Sequence, residues 1–62
     1  LINMGYIIGA DFFDGSGSFC VATTNRDLIE LKTIEGEENF EMELKEAARY
    51  YSVAETKILR EK

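Results

Sequence analysis

The sequence YIIGADFFDGSGSFCVATT, residues 6–24, sets the architecture of this chain. Residues 6–13 are rich in β-branched and aromatic side chains, and apolar residues occur there at both parities. This pattern indicates a strand buried on both faces or a buried helix, and we favour the strand. The motif DGSG, residues 14–17, is dense in residues that form turns. Residues 18–24 are strand-like again, so the whole stretch predicts a β-hairpin.

The rest of the chain supplies a third strand and a helix. Residues 28–34, LIELKTI, alternate apolar and charged side chains, which is typical of a half-exposed strand. Residues 37–51 predict an amphipathic helix, because apolar side chains recur there at helical spacing. They are Phe40, Leu44, Ala47, Ala48 and Tyr51. Asn39 is the candidate N-cap, and Glu41 and Lys45 are spaced for an ion pair within the helix.

This order of elements predicts an α+β fold. Short turns between the three strands favour an antiparallel meander, and the amphipathic helix is expected to pack across one face of it. Residues 56–60 fit a short fourth, C-terminal strand somewhat better than a continuation of the helix. We therefore predict a single small domain over residues 1–62, built from a three-stranded antiparallel meander, one helix and a short fourth strand.

The composition excludes several kinds of functional site and several ways of stabilising a small fold. A 62-residue domain buries only about 60% of the surface that its unfolded chain exposes, so it usually needs a disulfide, a metal ion or a partner. Cys20 is the only cysteine, so no disulfide can form within the chain. Histidine, the commonest zinc ligand and general base, is absent. We therefore expect no catalytic residues, no cofactor and no metal site, and we expect support from self-association or a hetero-complex.

Cysteine content and the N-terminal residues bear on location. A lone cysteine fits a reducing compartment, so we expect a cytoplasmic protein. The apolar run at residues 1–8 is too short to span a membrane and lacks the basic start of a signal peptide. No membrane partner is therefore expected.

The charge of the chain indicates what kind of partner it binds. Twelve acidic and seven basic residues give a formal net charge of −5. Because binding to nucleic acid requires clustered Lys and Arg, we expect no direct contact with nucleic acid. A negative helix surface attracts a basic protein, and an exposed tyrosine can anchor an interface. We therefore predict a non-catalytic protein-binding module, an inhibitor or regulator that occludes a basic, nucleic-acid-binding protein. The predicted partner-binding residues are Glu38, Glu41, Glu46 and Tyr50.

The motif FFDGSGSF, residues 12–19, resembles parts of known families. Residues 14–19 are similar to the middle of an EF-hand calcium loop, but Phe12 and Thr23 stand where that loop has its first and last carboxylates. The simpler interpretation, which we favour, is a hairpin turn whose polar side chains bind the local backbone.

Two further resemblances give an alternative function. Residues 9–17, GADFFDGSG, resemble the motif of the LAGLIDADG homing endonucleases, in which this segment is helical. Ser16 stands where that motif has its metal-binding carboxylate, which implies a protein without cleavage activity. DGS at a strand end, followed by MEL on a helix, resembles the ribonuclease H fold, in which Asp14 and Glu43 would share a magnesium ion. The alternative is therefore a degenerate or truncated metal-dependent nuclease-like domain built around Asp14.

Overall fold

The computed structural model describes residues 5–60, which form one sheet with one helix packed across it. The strand order is β3-β2-β1-β4, in which β1, β2 and β3 are antiparallel neighbours and β4 runs parallel to β1. The predicted α+β fold, its three-stranded meander and its short C-terminal strand are confirmed. The elements are β1 (Tyr6–Phe13), β2 (Ser16–Thr23), β3 (Leu28–Glu35), α1 (Glu37–Tyr50), a 3-10 turn (Glu55–Lys57) and β4 (Ile58–Arg60).

The prediction about the apolar N-terminal run concerns residues that are described only in part. Residues 1–4 lie outside the described residues, and the remainder of the run belongs to β1 and the residue before it. Within residues 5–60, no helix has both the length and the apolar character needed to cross a membrane.

The turn between β1 and β2 consists of only two residues, Asp14 and Gly15. Their φ angles are 55° and 81°, and a two-residue hairpin turn of type I′ requires positive values at both positions. Aspartate tolerates this conformation, and glycine adopts it without steric cost. As a result, β2 begins at Ser16, two residues earlier than predicted. The segment that is helical in LAGLIDADG proteins is mostly strand here.

The core lies between α1 and one face of the sheet. The ring centroid of Phe40 in α1 is 5.4 Å from that of Phe12 in β1 and 6.2 Å from that of Phe19 in β2. Gly17 leaves the space that the Phe40 ring occupies, because a Cβ at position 17 would overlap this ring. Each large apolar side chain buried in this layer stabilises the fold by roughly 1.5–3 kcal/mol. The buried residues are Ile8, Ala10, Phe19, Val21, Phe40, Leu44 and Val53.

The start of α1 differs from the prediction. Gly36, at φ 89°, occupies the N-cap position and no side chain caps the helix, so Asn39 is not the N-cap. The chain turns here from β3 into α1 through a left-handed conformation, which glycine adopts most readily. Gly36 also donates its N–H to the Gly15 carbonyl at 2.8 Å. This hydrogen bond places the helix start beside the hairpin turn.

Ion pairs join α1 to the strands on both of its flanks. Arg60 of β4 donates to both carboxylate oxygens of Glu41, at 3.0 and 3.1 Å, so the predicted pairing of Glu41 with Lys45 is wrong. Because this hydrogen bond favours the charged form, the pKa of Glu41 lies below its usual value. On the other flank, Lys32 of β3 donates to Glu43 at 2.9 Å, which raises the pKa of Lys32.

Strand β3 turns Glu30, Lys32 and the partly buried Ile34 toward the helix, and turns Ile29 and Leu31 away from it. Besides the contact of Lys32 with α1, Glu30 accepts a hydrogen bond from the Tyr51 hydroxyl at 3.4 Å. Burial and the nearby Glu30 carboxylate raise the pKa of Tyr51. Ile29 and Leu31 are 46% and 65% exposed. The predicted alternation is therefore present, and the side that carries Glu30 and Lys32 faces the helix together with Ile34.

Strand β1 is buried on one face only. Ile8 and Ala10 are buried beneath α1, whereas Asp11 is exposed and Phe13 is 78% exposed. The prediction of a strand buried on both faces is therefore wrong within the described residues. One helix covers one face of a sheet, and the apolar residues at the other parity remain open to solvent.

Candidate functional site

The face of the sheet that points away from α1 is not covered by any element among residues 5–60. Successive side chains of a strand point to opposite faces, so Gly9, between the buried Ile8 and Ala10, lies on this second face. We call this surface the open face. Contiguous exposed apolar patches of this kind mark interaction sites. The large apolar side chains exposed on it are Phe13, Leu28, Ile29, Leu31 and Leu59.

One row of residues across the open face forms a trough. Strand pairing places four residues side by side across β3, β2, β1 and β4: Leu31, Cys20, Gly9 and Leu59. The outer two are large and the inner two are small, so two leucine ridges border a floor made by Cys20 and Gly9. The trough has a volume of about 380 Å³. Because three strand spacings separate β3 from β4, the backbones at Leu31 and Leu59 lie about 14 Å apart.

The open face changes from apolar to polar along the strands. Toward the hairpin, the row beside the trough floor consists of Thr33, Ser18 and Asp11. Away from the hairpin, Ala22 and Ile7 continue the apolar part. The charged side chains at strand positions of the open face, within the described chain, are all acidic. They are Asp11 and Glu35.

The end of the molecule at the β1–β2 turn carries the net charge. The hydrogen bond between Gly36 and Gly15 holds the β1–β2 turn beside the start of α1, which gathers five exposed acidic residues at one end. Residues 11–18 and 33–39 contain no Lys or Arg, and the rest of the chain has seven acidic and seven basic residues. The formal net charge of −5 is therefore located at this end. We call these residues the acidic end: Asp11, Asp14, Glu35, Glu37 and Glu38.

The four predicted partner-binding residues all lie on α1, in different surroundings. Glu38 is exposed in the first turn and belongs to the acidic end. Glu41 is half-buried and held by Arg60. Glu46 is exposed, and Tyr50 is 81% exposed near the end of the helix. Their role in binding stays a prediction, and of the four only Glu38 belongs to the acidic end.

The carboxylates of the alternative, nuclease-like site lie in separate places. Glu43 is bound to Lys32, which pairs with Phe19 in the middle of β2. This position is about 10 Å along the strand from the end of β2 that adjoins the turn containing Asp14. Within residues 5–60, no group of three or more His, Cys, Asp or Glu side chains is placed to hold a metal ion. The described residues therefore give the alternative no assembled site.

Sequence reasoning missed the open face, although a signal for it was present. Strand β1 has apolar residues on both faces, with Ile8 on one and with Ile7 and Phe13 on the other. Only one helix is predicted for the chain. A single helix covers only one of two apolar faces, which leaves the second face for another partner. Comparison of the chain with protein families, with curated proteins and with solved structures found no match. The candidate site is therefore assigned from the geometry of the open face alone.

Proposed function

We propose that the chain is a non-catalytic protein-binding domain that docks a partner protein on its open face. The observation that supports this most directly is the clustering of exposed apolar side chains on one uncovered side of the sheet. Removing apolar surface from water contributes roughly 25 cal/mol per Å², which gives such a face a strong tendency to be covered. Leu31 and Leu59, at 65% and 59% exposure, would contribute most of their side chains to the contact.

The acidic end supports a basic partner. A compact region of one charge sign attracts the opposite sign and raises the rate at which two proteins meet. A protein whose basic surface binds nucleic acid is the kind of partner that this end would attract. In our proposal the domain occludes that surface and so acts as an inhibitor or regulator, in the cytoplasm, where the thiol of Cys20 stays reduced.

The predicted helix residues take unequal parts in this proposal. Glu38 acts in steering as a member of the acidic end. Glu46 and Tyr50 lie on the helix side of the sheet, so they would serve a second contact. Glu41 is engaged by Arg60, which makes it a structural residue first.

A photo-crosslinker placed on either side of the molecule tests which surface binds. In a Cys20→Ser background, Thr33→Cys carries the label on the open face, and Glu46→Cys carries the same label on the outer surface of α1. Both positions are exposed, so labelling leaves the core intact. We expect a partner protein to be joined to the label at position 33. Mass spectrometry identifies that protein, and its purified form is then titrated with the unlabelled domain.

Two charge substitutions complete the test. Leu31→Glu and Leu59→Glu should each weaken the titrated binding by about tenfold or more, because each places a charge in an apolar contact. Their urea unfolding curves should match the wild type, because both side chains are exposed in the free domain. Adducts that form from position 46 alone, together with unchanged affinity of both leucine variants, would contradict binding through the open face.

A further inference from the structure

On the basis of the proposed function, we infer that the partner element covering the open face is an amphipathic α-helix with basic residues at one end. It lies along the trough between Leu31 and Leu59, parallel or antiparallel to β1 and β2. Its apolar stripe faces the floor made by Gly9 and Cys20, and its basic residues reach the acidic end.

The width of the trough matches a helix. The backbones that carry Leu31 and Leu59 are about 14 Å apart, and an α-helix with its side chains is about 10–12 Å across. A single extended strand would bind at a sheet edge through backbone hydrogen bonds, not on a face whose backbone groups are already paired. The ridges would instead flank a helix on both sides, as the neighbouring side chains do when a helix packs on a sheet.

Gly9 is the residue whose identity the fold does not explain. A Cβ at position 9 would lie 3.5 Å from the Cys20 sulfur, an ordinary contact, and the backbone there has no positive φ. Glycine within a strand weakens it and often marks a place where another chain approaches closely. Gly17 differs, because the Phe40 ring occupies its space. We therefore infer that position 9 is glycine because the partner helix approaches the backbone closely there.

The length and charge of the trough define the helix further. On the open face, the rows from Ile7 to Asp11 span four residue steps of β1, about 13 Å, which corresponds to about nine residues of helix. The charged strand residues of the open face are acidic within the described chain. A second copy of this face offers no Lys or Arg at its described strand positions to complement Asp11 and Glu35, so a basic partner fits the face better than a second copy does. Lys or Arg side chains at one end of the helix would complement Asp11 and Glu35.

A random peptide library tests the inference without knowledge of the natural partner. Peptides of about 16 residues, enough to exceed the trough as a helix, are displayed on phage and selected on the immobilised wild-type domain. Selection is followed by depletion on Gly9→Leu, whose added side chain fills the trough floor. Asn39→Leu is the matched control, because it adds the same side chain at an exposed position of α1. Urea unfolding establishes that both variants are folded.

The expected result is a set of peptides with apolar residues at a spacing of three and four and with Lys or Arg gathered at one end. These peptides should bind Gly9→Leu about tenfold more weakly than the wild type, and Asn39→Leu as well as the wild type. Selected peptides with strict alternation of apolar and polar residues would indicate a bound strand. They would not contradict the binding of protein by the open face, but they would contradict the helix as occupant. A wild-type domain that sediments as a dimer, with a monomeric Gly9→Leu, would show a second copy as the occupant and overturn it too. Failure to enrich any peptide that distinguishes Gly9→Leu would also overturn it, and the crosslinking experiment then decides separately whether the face binds protein.

Discussion

At the scale of the residue, Gly17 and Gly9 occupy neighbouring strands and serve opposite sides of the sheet. Gly17 lies under the Phe40 ring, and a Cβ there would also be 2.7 Å from Cδ1 of Phe12. Gly17→Ala should therefore lower the free energy of unfolding by about 1–3 kcal/mol, the usual cost of overpacking a core. Urea denaturation followed by circular dichroism measures the change.

Gly9→Ala is the matched substitution on the open face. Its Cβ has room beside Cys20, so the free energy of unfolding should stay within about 0.5 kcal/mol of the wild type. Equal stability of the two alanine variants would mean that Phe40 does not pack over position 17. The pair thus separates a glycine needed by the core from one that the core does not need.

At the scale of the element, one ion pair joins α1 to β4 beside the apolar packing of Ile58 on the core. Glu41→Gln should lower the free energy of unfolding by about 0.2–1 kcal/mol at neutral pH, a small effect because both side chains are nearly half exposed. The pKa of Glu41 is lowered in the folded state, so its contribution is present above the ordinary pKa of glutamate. It is lost as the pH falls through the lowered folded-state pKa. Denaturation at a series of pH values should show the variant converging on the wild type in acid.

Double-mutant analysis identifies the partner of Glu41. Arg60→Gln should cost about as much as Glu41→Gln, and little more when the two are combined, because the same interaction is removed. Lys45→Gln serves as the control on the helix. A coupling of Glu41 to Lys45 as large as its coupling to Arg60 would speak for the pair predicted from helical spacing.

The helix and strands themselves could be predicted from the sequence, but which side of each strand faces the helix could not. The strand β1 has the predicted bounds and α1 ends one residue early, because alternation and helical spacing are local properties. Which side of β3 faces the helix is set by its register on β2, and the resulting contacts of Lys32 with Glu43 and of Glu30 with Tyr51 join residues distant in the chain. The pairing of Glu41 with Arg60 likewise requires β4 to lie beside β1, and no local pattern specifies that sheet order.

At the scale of the whole molecule, the open face and the acidic end form one continuous surface through Asp11. The apolar trough would supply the area that a partner buries, and the acidic end would supply long-range attraction. These two contributions act on different quantities, because buried contact area governs mainly the dissociation rate and charge governs the association rate. The position of the charge, and not only its total, should therefore matter for binding.

Neutralising the acidic end should slow association specifically. The variant Glu35→Gln, Glu37→Gln, Glu38→Gln removes three charges from this end, whereas Asp27→Asn, Glu46→Gln, Glu55→Gln removes three from elsewhere and leaves the same net charge. With the partner identified by crosslinking, we expect the first variant to associate about three- to tenfold more slowly at low salt, and the second to differ little from the wild type. The difference should shrink as salt is raised above about 0.15 M, because screening shortens the reach of exposed charges. Stopped-flow mixing measures both rates. Equal slowing by the two variants would show that total charge, and not the acidic end, governs the encounter.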